Sequence, residues 1–579
     1  MLRRALLEKL VSPSASLQIN DADPIKSLQP YAGPWTKEQA AHLLRRTTFG
    51  PTMAQIEAAV TGGLDDTIAE LLDESQKPSV GPLNPGRWRR GGTLEPVNDP
   101  VIEVGKPWVF KEDGVWKAGV FDRNADNAFL INQSRRASIG AWKTESILKE
   151  GVSIYEKMTL FWHNHFVTGD ITNPFRTIQY ITTLSDHALG NYRELAKLIT
   201  VDPAMLEYLN GSQNTRQAPN ENYARELFEL FTIGKGPLAG PGDYTFYTED
   251  DIAAASKVLT GWRFNWSIEA DNRGLITLNS ENSVVFRSNL HDATEKQFSE
   301  RFENQVIADE GAEEYETLVN MIFQQDECAR FICRKLYRWF VYYEISDEVE
   351  QLVIEPMAQI LLANDYEIKP ALTALLKSEH FFDVLNLGPM IKNPYDFVTS
   401  ILKPFNYPPE PDDLLQKLFL YRNITELFVV QQMTYFSPPD VAGWKAYYQA
   451  PLFYRTWINS STLNLKMNIT RLLTLGANQN PNDDSRINVL QMAANIEEAI
   501  DPNKLIDGLA ERFFPQPITT AQKDYLKGIL IPGLPDFEWS VEYGEYLEHP
   551  EDDDLRISVE QKLRQLTNAV LSMPEFYLS

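Results

Sequence analysis

From Thr36 to the carboxyl end, apolar residues recur mainly at the three-to-four-residue spacing of amphipathic helices, and few stretches alternate as a strand would. That periodicity constrains the fold most. It predicts a mainly α protein with a large, bundle-like multi-helix core. Thr36 and Gln39, and again Thr52 and Gln55, have the spacing of a capping box and predict two helix starts; a third helix is expected over 64–74. Further helical patterns cover about 127–148, 152–165, 173–187, 192–209, 220–233 and 249–260. They resume over 310–343, 346–363, 369–378, 393–403, 411–420, 424–434 and 455–475.

Two segments break the helical period. Residues 107–120 carry two aromatic or β-branched runs around Asp113-Gly114, a hairpin signature. Residues 262–288 alternate as a small antiparallel β element would. Residues 78–105, rich in Pro, Gly and Arg, are expected to be a long connection. The chain therefore divides into an amino-terminal extension (1–35), a helical core (36–475) and a smaller helical carboxyl-terminal segment (476–579).

Fifty-four Lys and Arg stand against 80 Asp and Glu, a net charge of −26. A field of that sign repels phosphate backbones, so nucleic acid is excluded as a partner. Nine acids lie within 536–554 without a Lys or Arg, and that run is expected to be a solvated acidic loop. No run of about 18 apolar residues exists, so no transmembrane segment is expected. The start, MLRRALLEKLVSPSAS, is basic, but Glu8 and Lys9 interrupt the apolar stretch that a secretory or twin-arginine signal needs. A cytoplasmic location follows as the expectation. The two cysteines, Cys328 and Cys333, are five residues apart in a helical pattern, about 140° around the axis, which disfavours a disulfide or a shared metal.

Phosphate-cradling loops, dinucleotide fingerprints, nucleophile elbows and HExxH are absent, so any chemistry rests on polar clusters. His163 and His165 in FWHNHF can share an ion only if the helix ends near His163, because two positions on a helix are about 200° apart; otherwise they are buried, hydrogen-bonded histidines. In 220–231, Glu221, Arg225 and Glu229 form one polar stripe with Glu226 beside it and Asn220 at its start. That stripe is either a surface ladder or a source of ligating and acid–base carboxylates. His291-Asp292 reads as a ligand pair, an oriented base, or a helix cap through Asp292 and Glu295. His42 shares a helix face with Arg45 and Arg46. His187, His380 and His549 read as ordinary structural histidines.

Several strings occur in order: AHLLRRTTFGP at 41–51, FWHNHF at 161–166, PNENYARELFELFTIG at 219–234, Thr260-Gly261-Trp262, His291-Asp292, KSEHFF at 377–382 and PPDVAGW at 438–444. Together they resemble the large bacterial family called domain of unknown function 1800. The resemblance implies frequent export to the periplasm and a neighbouring family, domain of unknown function 1501, as a partner. It also implies that the motif residues share a polar site. On that expectation Glu221, Glu226 and His291 are catalytic. His42, His163 and His165 hold one divalent metal ion (Zn, Fe or Mn), and Asn220, Arg225, Asp292 and Trp444 bind or support. The function expected is a metal-dependent hydrolase or oxidoreductase; the alternative is a non-catalytic assembly or binding protein acting with a partner.

Overall fold

The computed structural model describes residues 25–90, 93–120, 127–240, 243–267, 269–444, 456–476 and 486–579. Expectations for residues 1–24 lie outside the described residues. The fold is mainly α, with small antiparallel sheets of two or three strands.

Local sequence signals account for the first elements. Thr36 caps the helix Lys37–Thr47, and Thr52 with Gln55 closes a full capping box on Met53–Leu71. The latter breaks at Gly63, whose φ of 85° matches the expected division between a second and a third helix. Asp113 and Gly114 both take positive φ and join Val109–Glu112 to Val115–Gly119 in a hairpin.

The β element at 262–288 divides. Trp262–Phe264 pairs with Val284–Phe286, whereas Leu275–Thr277 adds to the distant hairpin beside Val115–Gly119. The connection at 78–105 contains its own hairpin, Arg87–Arg90 with Thr93–Pro96. Expected helices at 411–420 and 424–434 are one, Leu414–Val429, because Arg422 and Asn423 between them do not interrupt a helix. The acidic run is also not a loop. Asp536–Glu548 is a helix and Asp552 caps the next, Asp553–Ser572. Trp539 and Tyr543, four apart and stacked at 4.9 Å, bury one face and fix the helix despite its charge.

At the centre lies the helix Tyr155–His165, whose eleven residues are all buried. Burial on every side suits its apolar residues, but Glu156, Lys157, His163, Asn164 and His165 must find partners there. Glu156 accepts from Lys143 Nζ at 2.8 Å. Lys157 pairs with Asp396 and reaches the Thr48 carbonyl at 3.4 Å. Asn164 Oδ1 accepts from the Trp444 backbone N–H at 2.7 Å. Thr48 and Trp444 belong to the 41–51 and 438–444 motifs, so this central helix holds distant segments together. Gly50 shows how close the packing is: at φ 62°, a Cβ there would lie 2.4 Å from the Thr399 carbonyl oxygen.

Removing one member of a buried ion pair leaves the other charge unpaired, at a cost of about 3–5 kcal/mol, whereas an apolar pair is tolerated. Lys157→Met should therefore lower the denaturation midpoint strongly. Lys157→Met with Asp396→Leu should recover much of the loss; equal loss in both variants would contradict this reading.

Candidate active site

The structure places the expected metal ligands in separate hydrogen-bond networks. His163 meets the Tyr435 carbonyl through Nε2 and the Tyr180 hydroxyl through Nδ1, 2.9 Å away. Burial pushes its pKa down to about 4. The helix continues through His165, so the condition for the two imidazoles to share an ion is not met. His165 donates from Nε2 to the Phe231 carbonyl at 3.1 Å, and the Lys335 ammonium occupies its Nδ1 at 2.9 Å. A neutral imidazole has one lone pair, and Lys335 takes it. His42 bonds the Phe381 carbonyl at 3.1 Å, and burial, then Arg46, holds its pKa well below the usual value. His380, one residue before Phe381, bonds the Tyr337 hydroxyl and the Lys26 carbonyl.

The 219–234 segment is an α-helix, Glu221–Glu226, that widens into a π-helix, Leu227–Thr232. The wide turn presents the Leu230 and Phe231 carbonyls sideways. Lys335 takes the first at 2.8 Å, and His165 and Tyr192 take the second. FWHNHF and the π-helix are therefore direct partners. Asn220 caps the helix by accepting from Asn222 N–H at 3.0 Å. Glu221 is 49% exposed and shares Arg225 with Glu249, the geometry of a surface ladder. Glu226 differs. Desolvation, then Glu229, pushes its carboxyl up to about 7.

One group of three possible ligands, His291, Asp309 and Glu314, lies within 4.8 Å among the described residues. His291 Nε2 donates to Glu314 Oε1 at 2.8 Å, Lys296 Nζ to Glu314 Oε2 at 2.6 Å, and the Glu310 N–H adds 3.2 Å. His291 Nδ1 faces the Thr260 carbonyl at 3.0 Å. Burial opposes the imidazolium, but Glu314 and that carbonyl outweigh it and raise the pKa. Lys296 and Glu314 are wholly buried, and the Thr260-Gly261-Trp262 and His291-Asp292 motifs meet beside that ion pair. Asp292 does not cap a helix. It accepts from the Thr294 N–H at 2.9 Å in a turn leading to the strand Lys296–Gln297.

A pocket of about 490 Å³ lies at the amino-terminal end of the central helix, between the 76–85 connection, the helix Ala128–Lys149 and the helix Leu414–Val429. Glu150, Glu156, Trp142, Tyr155 and Tyr421 are among its lining residues. Glu150 Oε1 accepts from the Glu156 N–H at 2.9 Å, and Glu156 Oε2 from Lys143. Glu150 Oε2, Glu156 Oε1 and the Tyr155 hydroxyl are buried without a hydrogen-bond partner. Desolvation, reinforced by Glu156, pushes the Glu150 carboxyl up, while burial pushes Lys403, which donates to the Glu150 carbonyl at 2.8 Å, down. Sequence reasoning missed this pair. The available signal was Glu156-Lys157, a charged dipeptide inside an otherwise apolar run ending in FWHNHF.

Two outcomes follow. Glu221→Gln should change stability by only a few tenths of a kcal/mol, because an exposed ladder contributes little. Glu314→Gln should cost about 3–5 kcal/mol, because Lys296 loses its counter-charge. His291 also adds a pH dependence. Its folded pKa exceeds the unfolded 6.5, so its contribution is complete below that pH and is lost as pH rises through the folded value. Melting measured against pH should show that decline in the native protein and not in Glu314→Gln.

Among the described residues, no helix is long and apolar enough to cross a membrane. No curated protein and no solved structure matches the chain. A family model described as "Protein of unknown function (DUF1800)" matches residues 42–578, so the paired motifs described above are those of a DUF1800 protein, and the chain belongs to that family.

Proposed function

We propose that the chain is an enzyme that moves protons at the Glu150–Glu156 pocket. The observation that carries this reading is a pair of carboxyls in one pocket wall with opposite surroundings. Desolvation, reinforced by Glu156, raises the Glu150 carboxyl and favours its protonated form. Glu156 faces the Lys143 ammonium at 2.8 Å. A carboxyl whose burial favours the protonated form beside a carboxylate paired with an ammonium is what acid–base catalysis needs: Glu150 donates a proton to a leaving group and Glu156 accepts one. The aromatic and apolar lining supplies a dry wall for the body of a substrate. Hydrolysis of a bond whose leaving oxygen must be protonated fits this pair best.

A second reading keeps a metal, and the mutual approach of His291, Asp309 and Glu314 favours it. Imidazole and carboxylate ligands suit Zn, Fe or Mn. The Lys296 ammonium opposes it, since it already neutralises Glu314. Asp309 is exposed, so Asp309→Ala leaves the buried pair intact. Stoichiometric metal in purified protein that disappears in Asp309→Ala would carry this reading; metal-free protein would end it.

The proton on Glu150 is directly measurable. Infrared spectra at neutral pH should contain a protonated-carboxyl band that Glu150→Gln diminishes, the remainder coming from the raised carboxyls of Glu226 and Asp202. A native spectrum without that band contradicts the assignment. In a panel of chromogenic glycosides, esters and phosphates, Glu150→Gln and Glu156→Gln should each lower turnover by about 10²-fold or more; Glu150→Gln should leave melting unchanged, whereas Glu156→Gln also lowers it because the buried Lys143 loses its counter-charge. Turnover that survives both substitutions would place the chemistry elsewhere.

A further inference from the structure

We infer that the outer face of the helix Asp536–Glu548 is a docking surface for a basic amphipathic helix of a partner protein. The helix is amphipathic twice over. Trp539 and Tyr543 face the core, while Phe537 and Val541, four apart, are 60% and 54% exposed on another face. Gly544 continues that stripe at the next turn. Ile500, itself exposed, lies beside it, 3.4 Å from where a Gly544 Cβ would stand. Phe537, Val541 and Ile500 therefore form one exposed apolar stripe that a second helix could cover.

The surface is rigid. Trp539 Nε1 donates to the Ala499 carbonyl at 2.9 Å and Ser540 Oγ to the Ile500 carbonyl at 2.8 Å. Glu542 is held by Ser558 and Lys562 on the following helix, and Asp536 accepts from Asn503 Nδ2 at 2.9 Å. A helix so tied presents its outer apolar residues in fixed positions without induced ordering.

Charge selects the occupant. Glu538, Glu545 and Glu548 lie on the same helix as the apolar stripe, and Glu545 and Glu548 stand exposed beside it. A second copy would bring the same acidic run against itself, and anionic lipid would be repelled. A helix with leucine or aromatic residues at i, i+4 and i+7, flanked by Lys or Arg, satisfies the apolar stripe and the acidic rim together.

The test uses the full chain and a fluorescent synthetic peptide with leucines at that spacing between lysines. A scrambled peptide of equal composition and a peptide with glutamates replacing the lysines serve as comparisons. The first should bind saturably, weaken with salt, and lose affinity about tenfold or more against the double variant Phe537→Ser, Val541→Ser. Both positions are exposed, so melting of the variant should match the native protein. Absent binding, equal binding of the scrambled or glutamate peptide, or unchanged affinity of the double variant would each overturn the inference.

Discussion

A helix buried on all sides governs this structure. Its interior backbone is paired turn to turn, but six of its eleven side chains are polar; Thr159 bonds the Tyr155 carbonyl within the helix, and each of the other five must be met by a neighbour or pay the desolvation of an unpaired group. Those neighbours are spread along the chain: Lys143, Thr48 with Asp396, Tyr180 with Tyr435, Trp444, and Phe231 with Lys335. Each contact fixes one element's distance and rotation about the central helix. A purely apolar helix could slide or turn among its neighbours at small cost. This one is held in one arrangement by the partners of Glu156, Lys157, His163, Asn164 and His165, and leaves only the Tyr155 hydroxyl and Glu156 Oε1 at its pocket end unpaired.

The family motifs become intelligible in the same terms. His42 of the first string bonds Phe381 of the sixth, and Thr260 of the fourth bonds His291 of the fifth. His165 of the second bonds Phe231 of the third, and Asn164 bonds Trp444 of the last. The motifs are couples, each with a partner far along the chain. That pattern concentrates His, Asn and Glu as a shared catalytic centre would, which is why residue types and order alone suggested one site.

What the sequence disclosed follows the range of the interaction. Caps and turns act within four residues, so Thr36, Thr52–Gln55 and Asp113-Gly114 were legible. Residues 536–554 were not, because composition weighed against a fold that two buried aromatics decide. The partner of Leu275–Thr277 was hidden because pairing across 156 or more residues leaves no local trace. The π-helix owes its shape to Lys335 and Tyr192, both remote. Glu150 went unremarked because its unusual proton affinity comes from enclosure and from Glu156, and neither is visible in a polar Lys-Glu-Gly string.

The same helix links architecture to chemistry. Its carboxyl-terminal end is spent on histidine contacts that hold the π-helix and the 435–444 segment. Its amino-terminal end carries Glu156 into the pocket wall beside Glu150. Native-state hydrogen exchange tests this account most directly. If the central helix is the element on which the others depend, amides within 155–165 should exchange only through global unfolding, with the highest protection in the chain. Exchange of those amides by local opening, at a free energy below that of helices such as Leu414–Val429, would contradict it.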